Sequence, residues 1–201
     1  MRIVMIKGFS KTGKTTTVTA LTAELRRRGY TVGTLKDIHY EGYRADVPGT
    51  DPFRHMESGA RRVTALGPQD TALMVDERMD PEAVLTYYQE DFIILEGDSG
   101  IKCPTVITGK VPDDIDKRMC REAVAVSGVI TETMDEYKGL PVINARKEVE
   151  KLADLVERKT KQPEEDADVQ LFIGGKEIGM APFVRKQVEN LVQGAVQAHE
   201  C

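Results

Sequence analysis

Apolar positions along the chain fall into short runs separated by glycine, proline and charge. Arg2-Ile3-Val4-Met5-Ile6-Lys7, stopped by Gly8, has the β-branched content of a buried strand. From Lys14 to Arg28 the positions Val18, Leu21, Thr22 and Leu25 recur at helical spacing, and Gly29 after Arg26-Arg27-Arg28 supplies a C-terminal stop. A second strand is expected over Thr31 to Lys36, so the chain opens strand, glycine loop, helix, strand, a unit whose crossover normally makes a right-handed parallel pair. Residues 37–50 show no periodicity and contain Gly42, Pro48 and Gly49, the marks of a long surface loop, and such loops are often functional. Asp51-Pro52 reads as an N-cap with proline at the first helical position, opening a short helix toward Gly59.

Further strands are expected at Val63 to Leu66, Ala72 to Val75, Phe92 to Glu96, Thr105 to Thr108, Ala123 to Val126 and Val142 to Ile143. Asp80-Pro81 begins another helix that ends near Tyr88, and Val149, Leu152, Leu155 and Val156 mark a helix over Arg146 to Lys159. Gln162-Pro163-Glu164-Glu165-Asp166 is a charged break. Beyond it, Val169 to Ile173 and Lys176 to Met180 flank Gly174-Gly175 as a β-hairpin, and a helix with Phe183, Val184, Val188, Leu191, Val192 and Ala195 on one side follows. A hairpin and one helix are marginal alone, so this piece is expected to pack on the main domain or on a partner.

Composition narrows the class. With 201 residues, 40% hydrophobic and 30% charged, the chain is an ordinary globular protein rather than a disordered or fibrous one. Its formal charge of -5 gives no global attraction to nucleic acid or anionic lipid, and neither is expected as a partner. Runs such as Ile3 to Ile6 and Phe92 to Leu95 are far shorter than the ~20 residues of a membrane helix, and the start of the chain lacks a signal-peptide stretch, so a cytoplasmic location is expected. Cys103, Cys120 and Cys201 form no CxxC pair and leave an odd thiol, which suits a reducing compartment.

Gly8-Phe9-Ser10-Lys11-Thr12-Gly13-Lys14-Thr15 fits the pattern of a phosphate-binding loop. The glycines let backbone N–H groups face a phosphate, the following helix offers its positive end, Lys14 neutralises β- and γ-phosphate oxygens, and Thr15 supplies a hydroxyl for Mg²⁺. Phe92-Ile93-Ile94-Leu95-Glu96 ends an apolar strand on a carboxylate before Gly97, which puts Glu96 at the carboxyl edge of a parallel sheet, beside that loop. Asp46 and Asp51 are candidates for holding a metal-bound water or sensing the γ-phosphate, with the helix cap as the simpler role for Asp51. His39 and His55, with Cys103, invite a transition-metal reading, against which stands their irregular spacing. Arg26, Arg27 and Arg28 have an electrostatic reason to end a helix, and Tyr87 and Tyr88 read as packing residues. No Asn-Lys-x-Asp or Thr-Lys-x-Asp sequence occurs, so the motifs imply a purine nucleotide without choosing ATP or GTP. The fold expected is therefore α/β, a P-loop NTPase-type domain over residues 1–161 with a mainly parallel sheet flanked by helices, followed by a C-terminal hairpin-plus-helix appendage over residues 162–201.

Beyond the loop the chain resembles the molybdopterin-guanine dinucleotide biosynthesis protein B (MobB) family. The resemblance is carried by Gly33-Thr34-Leu35-Lys36-Asp37-Ile38-His39, Asp46-Val47-Pro48-Gly49-Thr50-Asp51-Pro52-Phe53-Arg54-His55, Ser58-Gly59-Ala60, Leu95-Glu96-Gly97 and Ala123 to Val126, in the family's order over about the first 145 residues. Departures are Asp37 where the family has a first histidine, Thr50 where it has a lysine, and Asp98-Ser99 where it has an aromatic residue and lysine. The C-terminal hairpin and helix resemble an extension found in archaeal members. The resemblance implies a GTP-binding protein with weak GTP hydrolysis at most. Such a protein assists a molybdopterin nucleotidyltransferase (MobA type) in attaching GMP to molybdopterin, or helps deliver the finished cofactor, and is a homodimer. It implies that Gly8, Ser10, Lys11, Thr12, Gly13, Lys14, Thr15, Thr16 and Lys36 bind GTP and that Thr15 and Glu96 hold Mg²⁺, with molybdopterin as a further ligand and Asp46 or Asp51 coupling phosphate state to the loop. A metallochaperone-type GTPase and a small-molecule P-loop kinase remain the other readings.

Overall fold

The computed structural model describes residues 1–160, 171–174 and 176–197. In chain order the elements are β1 (Arg2–Gly8), α1 (Lys14–Arg27), β2 (Val32–Lys36), α2 (Asp51–Glu57), β3 (Arg62–Leu66), β4 (Thr71–Val75), α3 (Pro81–Leu85), β5 (Phe92–Glu96) and β6 (Thr105–Thr108). There follow α4 (Pro112–Asp116), β7 (Ala123–Ser127), a 3-10 turn (Val129–Glu132), β8 (Glu136–Tyr137), β9 (Leu140–Pro141), α5 (Val149–Thr160), β10 (Leu171–Ile173), β11 (Lys176–Ile178) and α6 (Pro182–Gln197). The chain forms two compact units: one from residues 1–36, 89–98 and 102 onward, the other from residues 37–88 and 99–101.

The first unit is an α/β domain built on a five-stranded parallel sheet in the order β2-β5-β1-β6-β7. The expected pairing of the first two strands is corrected here, because β5 lies between β1 and β2 and pairs with both. Every residue of β5 is buried, which explains why Phe92 to Leu95 are continuously apolar rather than alternating. On one face Val4, Ile6, Phe92, Ile94 and Val106 pack against Val18, Leu21 and Leu25 of α1 and Leu152 and Val156 of α5. The alternate side chains Ile107 and Val126 meet Ile115, Ile130 and Val142 in a second cluster, as the period of two along a strand requires.

Helices α1 and α5 are also tied by charge. The Glu24 carboxylate, nearly buried, accepts hydrogen bonds from Arg27 (2.7 and 2.8 Å) and Arg28 (2.7 Å). Arg28 reaches across to Asp154 (2.7 Å), Glu157 (2.9 Å) and the Glu150 carbonyl (2.9 Å). The arginine run therefore does more than face a helix C-terminus. These guanidinium bonds hold the Glu24 carboxyl down at about 2, against 4.5 for a free glutamate. Its stabilising contribution is thus fully present above about pH 4.5 and is lost as pH falls toward 2. Urea midpoints of wild type and Glu24→Gln are expected to differ at pH 7 and to converge as the pH approaches 2; a difference independent of pH would contradict this.

In the second unit β3 and β4 form an antiparallel pair closed by a Gly67 N–H donating to the Asp70 carbonyl (2.9 Å). The cap of α2 is Thr50, not Asp51: the Thr50 hydroxyl accepts from the Phe53 N–H (3.4 Å), which moves Asp51 to the first helical position and Pro52 to the second. Asp80 caps α3 as expected, accepting from Glu82 N–H (2.8 Å) and Ala83 N–H (3.4 Å).

Other expectations shift. Helix α5 begins at Val149 rather than Arg146, and α2 and α3 stop short of Gly59 and Tyr88. The strand expected at Val142 to Ile143 reduces to one parallel bridge from Val142 to Val126, with Ile143 N–H donating to the Val126 carbonyl (2.8 Å). Helix α4, the 3-10 turn and the β8–β9 pair were not anticipated. Strand β10 pairs with β11 as a hairpin, and the charged break at residues 162–166, with the domain boundary placed beside it, lies outside the described residues. Among the described residues, no helix is long and apolar enough to cross a membrane.

Candidate functional site

The loop joining β1 to α1 is shaped by its glycines. Gly13, at φ 105°, caps α1 in the left-handed region, and a Cβ there would stand 3.0 Å from the Cα of Gly128, just after β7. Gly8 lies in register with Thr108 of β6, whose hydroxyl and carbonyl would collide with a Cβ at Gly8. Lys11 also holds a positive φ, 59°, so the turn bends backbone that an L-residue seldom adopts. Thr12 is 1% exposed, its hydroxyl donating to the Phe9 carbonyl (2.9 Å) and lying 2.8 Å from the Thr108 hydroxyl. Its side chain braces the loop, which leaves only its backbone to face a ligand. Ser10 is exposed at the turn, and Thr16 lies in the first turn of α1.

The parallel register delivers the carboxylate. Glu96 is paired with Ile6 of β1 on one side and with Lys36 of β2 on the other, so strand ends bring all three elements level. The Thr15 hydroxyl donates to Glu96 Oε1 at 2.9 Å, and Lys36 Nζ lies 3.2 Å from the same oxygen. Glu96 is 7% exposed, so it is not a solvated strand-end residue. Lys14 Nζ folds back onto the Phe9 carbonyl at 2.5 Å. Burial lowers the Lys14 pKa, opposed by Glu96 and helped by the nearby cations Lys36 and Arg118. Burial and the two cations outweigh the one carboxylate at this ammonium, so a further anion would be favoured beside it. Thr15 and Glu96 offer hard oxygens of the kind Mg²⁺ prefers, so these residues fit a magnesium nucleotide.

The structure thus brings together Gly8, Thr12, Gly13, Lys14, Thr15, Lys36 and Glu96 in the first unit. Asp46 and Asp51 belong to the second. Both Asp46 oxygens are engaged by Arg44, at 3.1 and 3.3 Å, and that guanidinium lies 5.6 Å from the Phe53 ring centroid. Asp51 is exposed, 3.4 Å from Arg54. His39 Nε2 is 3.1 Å from Asp37, which also receives Arg78 at 2.7 Å. Among the described residues no group of three His, Cys, Asp or Glu side chains is arranged to hold a metal ion. Cys103 is buried, and its thiol is pushed up to about 12 by desolvation first and by neighbouring Cys120 and Glu122 next. Treatment of folded protein with iodoacetamide at pH 8 is therefore expected to leave Cys103 unmodified by peptide mass spectrometry, because the thiolate is the reactive form; rapid labelling there would refute the burial.

Sequence reasoning missed Lys7, Asp98 and Arg118. Asp98 follows Gly97 and takes Lys7 Nζ at 2.8 Å, a pairing with no local sequence signal, since the two residues sit on different strand ends.

A family model described as molybdopterin guanine dinucleotide synthesis protein B matches residues 3–131. The chain is 26% identical over 147 residues, 71% of its own length and 85% of the relative's, to a probable molybdopterin-guanine dinucleotide biosynthesis adapter protein of Bacillus subtilis (strain 168). The crystal structure of Bacillus subtilis MobB is similar with a TM-score of 0.68 and 25% identity, covering 80% of this chain and 99% of that one. A MobB homologue from Bacillus stearothermophilus shares the fold at a TM-score of 0.59 and 19% identity, covering 79% and 99%. The matched segment spans the glycine loop, the Glu96 strand end and β7, well over half of the chain, and the chain belongs to the MobB family.

Proposed function

We propose that the chain is a GTP-binding adapter of molybdopterin-guanine dinucleotide formation. The observation that carries the reading is the 2.9 Å contact between the Thr15 hydroxyl and Glu96 next to an anion-short Lys14. In this reading Lys14 and the loop amides hold the phosphates, and Thr15 and Glu96 hold Mg²⁺. Bound Mg²⁺ would neutralise phosphate charge. Lys36 orients Glu96 from the neighbouring strand, and Thr12 keeps the loop backbone fixed through Thr108.

The adapter role draws on the family and on the name of the Bacillus subtilis relative. The partner is a molybdopterin nucleotidyltransferase of the MobA type, with molybdopterin as the shared ligand and GMP as the group attached. GTP turnover by the adapter alone is slow at most, and the working form is a homodimer.

Adding the chain with Mg-GTP to a MobA-type enzyme and molybdopterin is expected to raise the rate of dinucleotide formation; an unchanged rate would contradict the adapter role. Removing the metal oxygen with Thr15→Ala is expected to weaken Mg-GTP binding about tenfold, near 1.4 kcal/mol, while leaving binding in EDTA unchanged. Equal losses with and without Mg²⁺ would remove Thr15 from the metal site.

A further inference from the structure

Arg118, shortly after α4, enters the site above only as a cation near Lys14. Its guanidinium carbon lies 4.3 Å from the centroid of the Phe9 ring, a cation–π contact with a residue of the phosphate loop itself. The carbonyl of the same Phe9 receives Lys14 Nζ at 2.5 Å, so one loop residue carries both cations. Arg118 has a poor partner for its charge. Asp98 Oδ2 is 3.8 Å from it but 2.8 Å from Lys7 Nζ, so the carboxylate serves the lysine first. The Arg118 Nε is buried with no hydrogen-bond partner among the described residues, although its side chain is one-third exposed. A planar fork of donors held in place by stacking and lacking a short acceptor is prepared for an oxyanion.

Charge across the site points the same way. Among the described residues, Lys7, Lys14, Lys36 and Arg118 gather around two paired carboxylates, Glu96 and Asp98, in a chain whose net charge is -5. Arg118 is close enough to Lys14 to help lower its pKa. Because the loop lysine reaches the β- and γ-phosphates, its anchor at Phe9 marks the end of the site that holds the terminal phosphate.

We propose that Arg118 binds the terminal phosphate of the nucleoside triphosphate held by this loop, making the site discriminate triphosphate from diphosphate. The inference rests on the nucleotide-binding reading above. Arginines that act on terminal phosphates in other nucleotide-binding proteins do so by bidentate contact, which a stacked guanidinium permits and an ammonium does not.

The test is calorimetric titration of Mg-GTP and Mg-GDP into wild type, Arg118→Ala and Arg118→Lys, with thermal melts of each nucleotide-free protein. Arg118→Ala is expected to weaken GTP about tenfold and GDP less than about twofold, with Arg118→Lys in between and all three melting within a few degrees of one another. Equal losses for GTP and GDP, or none, in a wild type that binds both would overturn the role of Arg118 and leave the nucleotide site standing. A wild type that binds neither nucleotide would overturn both.

Discussion

Lys14→Ala is expected to reduce Mg-GTP affinity by about a hundredfold or more, near 2.7 kcal/mol, without lowering the melting temperature of the nucleotide-free protein. The first half follows from losing charge-assisted hydrogen bonds to two phosphate groups, each worth roughly 1.5–3 kcal/mol. The second follows from the state of Lys14 before a ligand arrives. Its ammonium is half-buried and desolvated, its attraction to Glu96 is opposed by Lys36 and Arg118, and the Phe9 carbonyl is its hydrogen-bond acceptor. Removing such a group takes away an electrostatic burden rather than a stabilising pair. Saturating Mg-GTP, at about a hundred times its dissociation constant, is expected to stabilise wild type by ~2.7 kcal/mol and the variant far less. Thermal melts with and without nucleotide measure both quantities together. A variant that keeps wild-type affinity would show that the loop does not hold phosphate; one that melts much lower without nucleotide would show that Lys14 is a structural residue.

Gly128→Ala is expected to cost on the order of 3 kcal/mol and to lower the melting temperature by roughly 10 °C. Gly128 sits at φ 91°, where an L-residue is strained, and its added Cβ would collide with the backbone carbonyl of Thr12. That carbonyl already accepts from the Val129 N–H at 3.3 Å, so the loop rests directly on the end of β7. Nor can the space open on the other side, because Gly109 O and N stand 3.1 and 3.2 Å from the same Cβ position. The substitution therefore either unfolds the strand end or pushes the glycine loop out of shape, and nucleotide affinity is expected to fall with stability. Denaturation and nucleotide titration of this variant check the two effects together; a melting temperature within about 2 °C of wild type would mean that the backbone contact is not close.

The parts of this site legible in the sequence are those whose requirements are local. A glycine loop between strand and helix needs particular residues at fixed spacing, and the apolar run ending in Glu96 announces both a buried strand and the chemistry at its tip. What the sequence concealed depends on partners far along the chain. That β5 inserts between β1 and β2 follows from sheet order, which no single strand encodes, and it is this insertion that puts Glu96 against Thr15. Gly128 gives no sign of its role because the atom it accommodates, the Thr12 carbonyl, is over a hundred residues away. Arg118 looks like an ordinary surface arginine until Phe9 is found beneath it. At the start of α2 the expected cap, Asp51, gives way to its neighbour Thr50. Thr50 and Asp51 are both good caps, and the Thr50 hydroxyl, which donates to the Val47 carbonyl at 2.8 Å while accepting from Phe53, wins because the preceding turn presents it. Val142 to Ile143 had the composition of a strand, but the pairing with β7 shrinks to one bridge directly after Pro141 of the β8–β9 pair.

The most direct measurement of the central claim is isothermal titration of Mg-GTP and of Mg-ATP into the wild-type protein. The account predicts saturable binding of Mg-GTP with Mg-ATP at least about tenfold weaker, a gap of ~1.4 kcal/mol. A preference for ATP would contradict the guanine assignment and favour a kinase or ATPase, and binding of neither nucleotide would contradict the phosphate site itself.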